Sequence, residues 1–138
     1  MSNKKILIVD DDPDVRKGMH VRLAANHYET LFAADAVTAI AQARNHQPDL
    51  IILDLSLPAG DGFFVMKSLK ELPPLDVIPI IVVSGRDVTA NQTLVFEAGA
   101  KAFLQKPLDT SEFLAVIRHA LGDPAPPHKP VVYELGVA

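Results

Sequence analysis

The sequence predicts an α/β fold, a parallel sheet covered by helices on both faces, and three observations carry that prediction. Short runs dominated by Val, Ile and Leu recur five times, too uniformly apolar for strands with one wet face. Segments with apolar residues at helical spacing alternate with them. Hydrophobic residues make up 49% of the chain but aromatics only 6%, which suits a sheet packed between helices better than an antiparallel sandwich. Five strands alternating with five helices build βαβ units with right-handed crossovers, a (βα)5 arrangement.

The elements follow in order. Lys5 to Val9 (KILIV) reads as the first strand and ends in Asp10, Asp11 and Asp12. Pro13 suits the first position of a helix capped by Asp12, with Val15, Met19 and Leu23 on one face. Tyr28 to Ala33 is a second, weaker strand, and Asp35 caps a helix carrying Ala36, Ile40 and Ala43 inward, closed by Pro48. Leu50 to Asp54 is the third strand. A turn through Asp61, Gly62 and Phe63 follows, then a helix striped by Val65, Met66, Leu69 and Leu72 and stopped by Pro73 and Pro74. Val77 to Val83 reads as the fourth strand, with Pro79 near its start. A helix over about Thr89 to Ala98 ends at Gly99, and Ala102 to Leu104 is a short fifth strand before Lys106 and Pro107. Asp109 with Glu112 forms a capping box for a last helix, whose face is Phe113, Val116, Ile117 and Ala120, and Gly122 and Pro124 end it.

At 138 residues the chain suits one domain over residues 1–121, followed by a Pro-rich tail or linker over 122–138. With no cysteine there is no disulfide framework and no thiolate metal site, and a reducing cytoplasm is the expected location. A net charge of −4 lacks the basic footprint of a nucleic-acid binder. The first ten residues hold no sustained apolar region, which argues against a signal peptide or membrane span.

The chemistry centres on Leu50 to Phe63 (LIILDLSLPAGDGF), where an apolar strand ends in Asp54. A carboxylate there costs several kcal/mol unless a cation or hydrogen-bond donors meet it, about the desolvation of one ion. In a parallel sheet all strand C-termini share one edge, so Asp10 and Asp11, Asp54, Ser84 and Lys106 crowd one rim. Carboxylates about 5 Å apart repel by roughly 3 kcal/mol per pair at an effective dielectric near ~20, so either their pKa values rise or a cation binds. Oxygen ligands on a shallow rim suit Mg²⁺, or Mn²⁺ in its place. Asp54 can then attack phosphorus, with the Lys106 ammonium and the Ser84 hydroxyl meeting the phosphoryl oxygens.

The segments ILIVDDDP, LDLSLPAGDGF, IIVVSG and FLQKP, in this order and spacing, resemble those of the two-component response-regulator receiver domain, over Lys4 to about Leu121. The resemblance implies a doubly wound, flavodoxin-like sheet with strand order 2-1-3-4-5, the order of the chemotaxis regulator. It implies that Asp54 is the phosphoacceptor, that Asp11 binds Mg²⁺ directly and Asp10 directly or through water, and that the Ser56 carbonyl adds a metal ligand. Lys106 would pair with the phosphoryl group, with a cis bond to Pro107. Ser84 and Phe103 would be the switch pair, passing the change to the face made by the fourth helix, fifth strand and last helix. The donor would be a phosphohistidine on a sensor histidine kinase or phosphotransfer protein. No turnover of an external substrate is expected, and the output would lie with an unknown partner or a C-terminal effector domain. Many members joined to winged-helix DNA-binding domains carry an Asp pair where this chain has Lys101 and Ala102, which argues against that dimer mode. A weak homodimer through the output face stays open. Ser56 and Arg86 occupy the two variable positions that tune phosphoryl lifetime.

Plainer roles compete at several positions. N-capping suffices for Asp12, Phe103 can be simple core, Gly60 and Gly62 can serve the turn, and the five histidines show no ligand spacing. Two other functions are set beside the relay reading. A haloacid-dehalogenase-like phosphatase would use Asp10 and Asp12, but needs a second late acid pair where only Asp109 and Glu112 stand. An interaction module independent of phosphorylation would bind its partner equally well without Asp54.

Overall fold

Each strand in the fold runs into a helix. In the computed structural model, which describes residues 3–57, 61–85 and 88–123, β1 (Lys5–Val9) leads to α1 (Pro13–Ala25) and β2 (Glu29–Ala33) to α2 (Ala36–His46). Likewise β3 (Leu50–Asp54) leads to α3 (Asp61–Lys70), β4 (Ile80–Ser84) to α4 (Val88–Glu97), and β5 (Ala102–Gln105) to α5 (Thr110–Leu121). The sheet is parallel in the order β2-β1-β3-β4-β5, as the sequence implied. Winding reverses between β1 and β3, so a crevice opens above their carboxyl ends.

Strand alternation divides the core in two. Leu7, Val9, Ile51, Leu53, Ile80, Val82 and Phe103 pack with residues of α2, α3 and α4. Ile6, Ile8, Leu50, Ile52, Ile81, Val83, Ala102 and Leu104 pack on the other face with α1 and α5. Every residue of β3 and β4 is buried, which explains the unbroken apolar runs. Three helix starts are capped as expected. Asp12 accepts from the N–H groups of Asp14 and Val15, Asp35 from Thr38, and Asp109 from Glu112.

Proline shifts two boundaries. The strand expected from Val77 begins only at Ile80, because Leu75–Val77 forms a 3-10 turn and Pro79 has no N–H for the ladder, though its carbonyl accepts from Ile51. The helix expected after the Asp61-Gly62-Phe63 turn contains those residues and ends at Lys70. Pro73 lacks the N–H that Leu69 would need, so the Leu69 carbonyl accepts from Leu72 in a tighter turn, and Leu72 packs beyond the helix. On α2 the buried residues are Ala36, Ala39 and Ala43, with Ile40 at the margin rather than the centre. Gly99 (φ 107°) and Gly122 (φ 74°) end α4 and α5 in the left-handed region, and each turn pairs the next N–H with a carbonyl five residues back. At the edge away from the acids, Lys4 donates to the Leu121 carbonyl and to Asp123, and the Tyr28 hydroxyl donates to Asp123, each at 3.0 Å. The tail from Pro124 lies outside the described residues, as does Arg86. Among the described residues no helix is long and apolar enough to cross a membrane.

Candidate phosphoacceptor site

Strand register brings the acids together. Ile8 pairs with Ile52 and Val9 with Leu53, so one further step sets Asp10 beside Asp54. Both continue the alternation that faces α1 and α5, and Lys106 does the same after Ala102 and Leu104. The backbone fixes these ends. The Asp10 N–H donates to Ala33 at 3.0 Å, that of Leu55 to Val83 at 3.0 Å and that of Lys106 to Ser84 at 2.8 Å, all carbonyl acceptors.

Asp10 is 1% and Asp54 3% exposed, whereas Asp11 is open to solvent. Carboxylate oxygens of the three lie within 4.8 Å of one another, among the described residues the one such group of acids and histidines. The Lys106 ammonium sits 2.9 Å from Asp10 Oδ2 and 3.4 Å from Asp54 Oδ2. The other oxygens accept backbone donors, Asp10 Oδ1 from Asp12 at 2.9 Å and Asp54 Oδ1 from Ser56 at 2.8 Å.

Burial pushes the Asp10 carboxyl above the usual carboxylate range, and the Asp54 charge adds to that, while the Asp12 N–H and Lys106 offset part of it. Burial pulls the opposite way on Lys106, but its bond to Asp10 and the two carboxylate charges win and hold the ammonium above its usual value. Three carboxylates against one ammonium still leave the site negative when all are ionised. An all-oxygen set with surplus negative charge fits a hard divalent cation such as Mg²⁺ or Mn²⁺.

Ser84 is fully buried at the end of β4, its hydroxyl 3.5 Å from that of the exposed Ser56, an outer-limit contact. By strand alternation Ser84 falls on the α4 side of the sheet, the side into which Phe103 packs at 6% exposure. The Lys106–Pro107 bond is cis, as the resemblance implied. Asp12 is spent on capping α1, its plainer role.

One residue of consequence has a different role from the turn the sequence suggested, and another escaped the sequence reading. Gly62 lies inside α3, where an added Cβ would come within 3.1 Å of the Leu55 Cα and 3.2 Å of the Asp54 carbonyl oxygen. It serves close approach of helix to strand, not the turn. Arg16 reaches back from α1 and donates to the Asp10 carbonyl at 2.7 Å. A long cation one turn into the helix after the acid run was the available signal.

The family model for the response regulator receiver domain matches residues 6–118. The response regulator PleD of Caulobacter vibrioides is 36% identical over 114 residues, 83% of this chain but 25% of PleD, so the chain spans about a quarter of that relative. The polar-differentiation response regulator DivK of Brucella anthropi is 32% identical over 120 residues, 87% of this chain and 98% of DivK. A CheY-like receiver domain protein from Methanospirillum hungatei superposes with a TM-score of 0.80 at 30% identity, over 88% of this chain and 95% of that one. With the family model spanning most of its length and its strand order and acidic rim where such a domain needs them, this chain belongs to the response regulator receiver domain family.

Proposed function

We propose that Asp54 accepts a phosphoryl group from a phosphohistidine on a sensor histidine kinase or a histidine phosphotransfer protein. The observation that carries this reading is the convergence of three carboxylates, two of which share the Lys106 ammonium, 2.9 Å from Asp10 and 3.4 Å from Asp54. An Asp54 carboxylate oxygen forms the new bond to phosphorus, the phosphorus–nitrogen bond of the donor breaks, and its electron pair returns to the imidazole. Lys106 pairs with the incoming phosphoryl oxygens, and the Ser56 N–H holds the carboxylate in place. Asp10, Asp11, Asp54 and the Ser56 carbonyl would hold Mg²⁺, which supplies charge neutralisation at the phosphoryl oxygens. A cleft of about 550 Å³ between α1 and the loop after β5, lined by Val15, Met19, Arg22, Lys106 and Leu108, leaves room for a donor beside the lysine.

Ser84 donates its hydroxyl to a phosphoryl oxygen in the phosphorylated state, and Phe103, on the same sheet face, passes the change to the surface of α4, β5 and α5. Phosphorylation shifts an equilibrium between two states of that face and so changes which partner binds. Residues 1–121 form the receiver and 122–138 a tail or linker, and output rests with a partner or an attached effector. The phosphatase alternative loses Asp12 to helix capping. Incubation with a small acyl or amide phosphate and Mg²⁺ tests the reading by mass spectrometry. A gain of one phosphate, lost in Asp54→Asn, is expected; no gain, or a gain that survives the substitution, refutes it.

A further inference from the structure

We infer that Arg16 is a positioning residue for the metal site, acting through the peptide that joins Asp10 to Asp11. Asp11 is the solvent-exposed member of the acidic trio, and its carboxylate must be aimed by the backbone that carries it. That backbone is gripped on the Asp10 side at every polar atom. The Asp10 N–H donates to the Ala33 carbonyl, Oδ1 accepts from the Asp12 N–H, Oδ2 pairs with Lys106, and the carbonyl oxygen accepts from Arg16 Nη1. A peptide unit is planar, so holding the Asp10 carbonyl also sets the direction of the Asp11 N–H and the position of its Cα. On the far side, Asp12 is pinned by its own capping bonds to Asp14 and Val15. Asp11 is thereby held between two fixed residues.

The contact is short and charge-assisted, 2.7 Å, and Arg16 is half-buried on α1. Among the described residues Arg16 forms no ion pair, so its guanidinium is committed to a carbonyl rather than to a carboxylate of the site. That distinction separates positioning from simple electrostatics. A cation near three acids repels a divalent ion, so by Coulomb's law alone its removal strengthens metal binding. If Arg16 instead aims Asp11, removal weakens binding despite the favourable change in charge.

This role presupposes the metal-binding reading above, and Mn²⁺ titration followed by electron paramagnetic resonance keeps the two apart because it needs no phosphorylation. The whole chain is measured as wild type, Asp11→Asn, Arg16→Met and Arg16→Lys, with melting temperatures taken in chelator. Arg16→Met is expected to weaken Mn²⁺ binding about 10- to 100-fold, the usual cost of removing a group that orients a ligand. Arg16→Lys, which keeps one donor, is expected to recover part of the loss. Wild-type binding in Arg16→Met, stronger binding, or a lower melting temperature in chelator with unchanged affinity of the folded protein overturns the positioning role alone. Absence of Mn²⁺ binding by the wild type, or no loss in Asp11→Asn, overturns the metal reading and this inference with it. Should Arg16→Met not fold, Arg16→Gln, whose shorter side chain ends before the Asp10 carbonyl, decides by the same criterion, weakened binding supporting the role and unchanged binding refuting it.

Discussion

Lys106 stands between Asp10 and Asp54, and its removal leaves two buried carboxylates facing each other. Breaking a fully buried ion pair costs roughly 3–5 kcal/mol, but the Lys106 side chain is 25% exposed, so about 2 kcal/mol is expected for Lys106→Met at neutral pH. The sign with pH follows from Asp10, already raised by burial and raised further once the ammonium is gone. A carboxyl whose folded pKa exceeds its unfolded value contributes stability that is complete below the unfolded pKa and lost as pH rises through the folded one. Urea unfolding of Lys106→Met should therefore approach wild-type stability in acid and diverge toward neutrality, and phosphorylation should slow by about 10²-fold or more. Asp10, Asp54 and Lys106 were legible in the sequence because each ends or follows an apolar run. Arg16 was not, since only the folded helix shows that its guanidinium turns back on the chain.

At the level of elements, strands and caps could be read directly. Continuous Val, Ile and Leu runs mark buried strands, and Asp12, Asp35 and Asp109 precede helices as capping requires. The starts of α3 and β4 were misplaced because Gly and Pro signal interruption without saying of what kind. Gly62 is the sharper case. In an exposed helix Ala would gain about 1 kcal/mol over Gly, but here the new Cβ meets backbone atoms of Asp54 and Leu55, which cannot swing aside. Gly62→Ala should thus destabilise by about 1–3 kcal/mol, the range for overpacking, and displace the end of β3 that carries Asp54. Urea unfolding gives the first quantity and the phosphorylation rate the second. An Ala variant at least as stable as wild type would show that α3 can shift outward.

Across the whole molecule, strand order and the two-layer core followed from the alternation of elements and the family resemblance, but long-range polar ties did not. Lys4 and Tyr28 reach Asp123 across most of the chain, and nothing local announces such a meeting. Burial, followed by the bond to Asp123, pushes the Tyr28 phenol up to about 12 from 10.0. Because the folded value exceeds the unfolded one, its contribution to stability is complete below about 10 and disappears as pH climbs through about 12. Absorbance titration of Tyr133→Phe, which leaves Tyr28 as the lone tyrosine, should show ionisation near that upper value, and Asp123→Asn should bring it down.

The same tie marks the end of the sheet far from the acids. Asp123 is moored beneath the start of β1, and Asp10 caps the other end of that strand, five residues or roughly 17 Å away. The mooring at Asp123 therefore marks the floor of the sheet, while the acidic cluster of Asp10, Asp11 and Asp54 marks its ceiling. On the proposed function, a change at Asp54 would reach this end of the sheet through tilting or repacking of the helices that flank it.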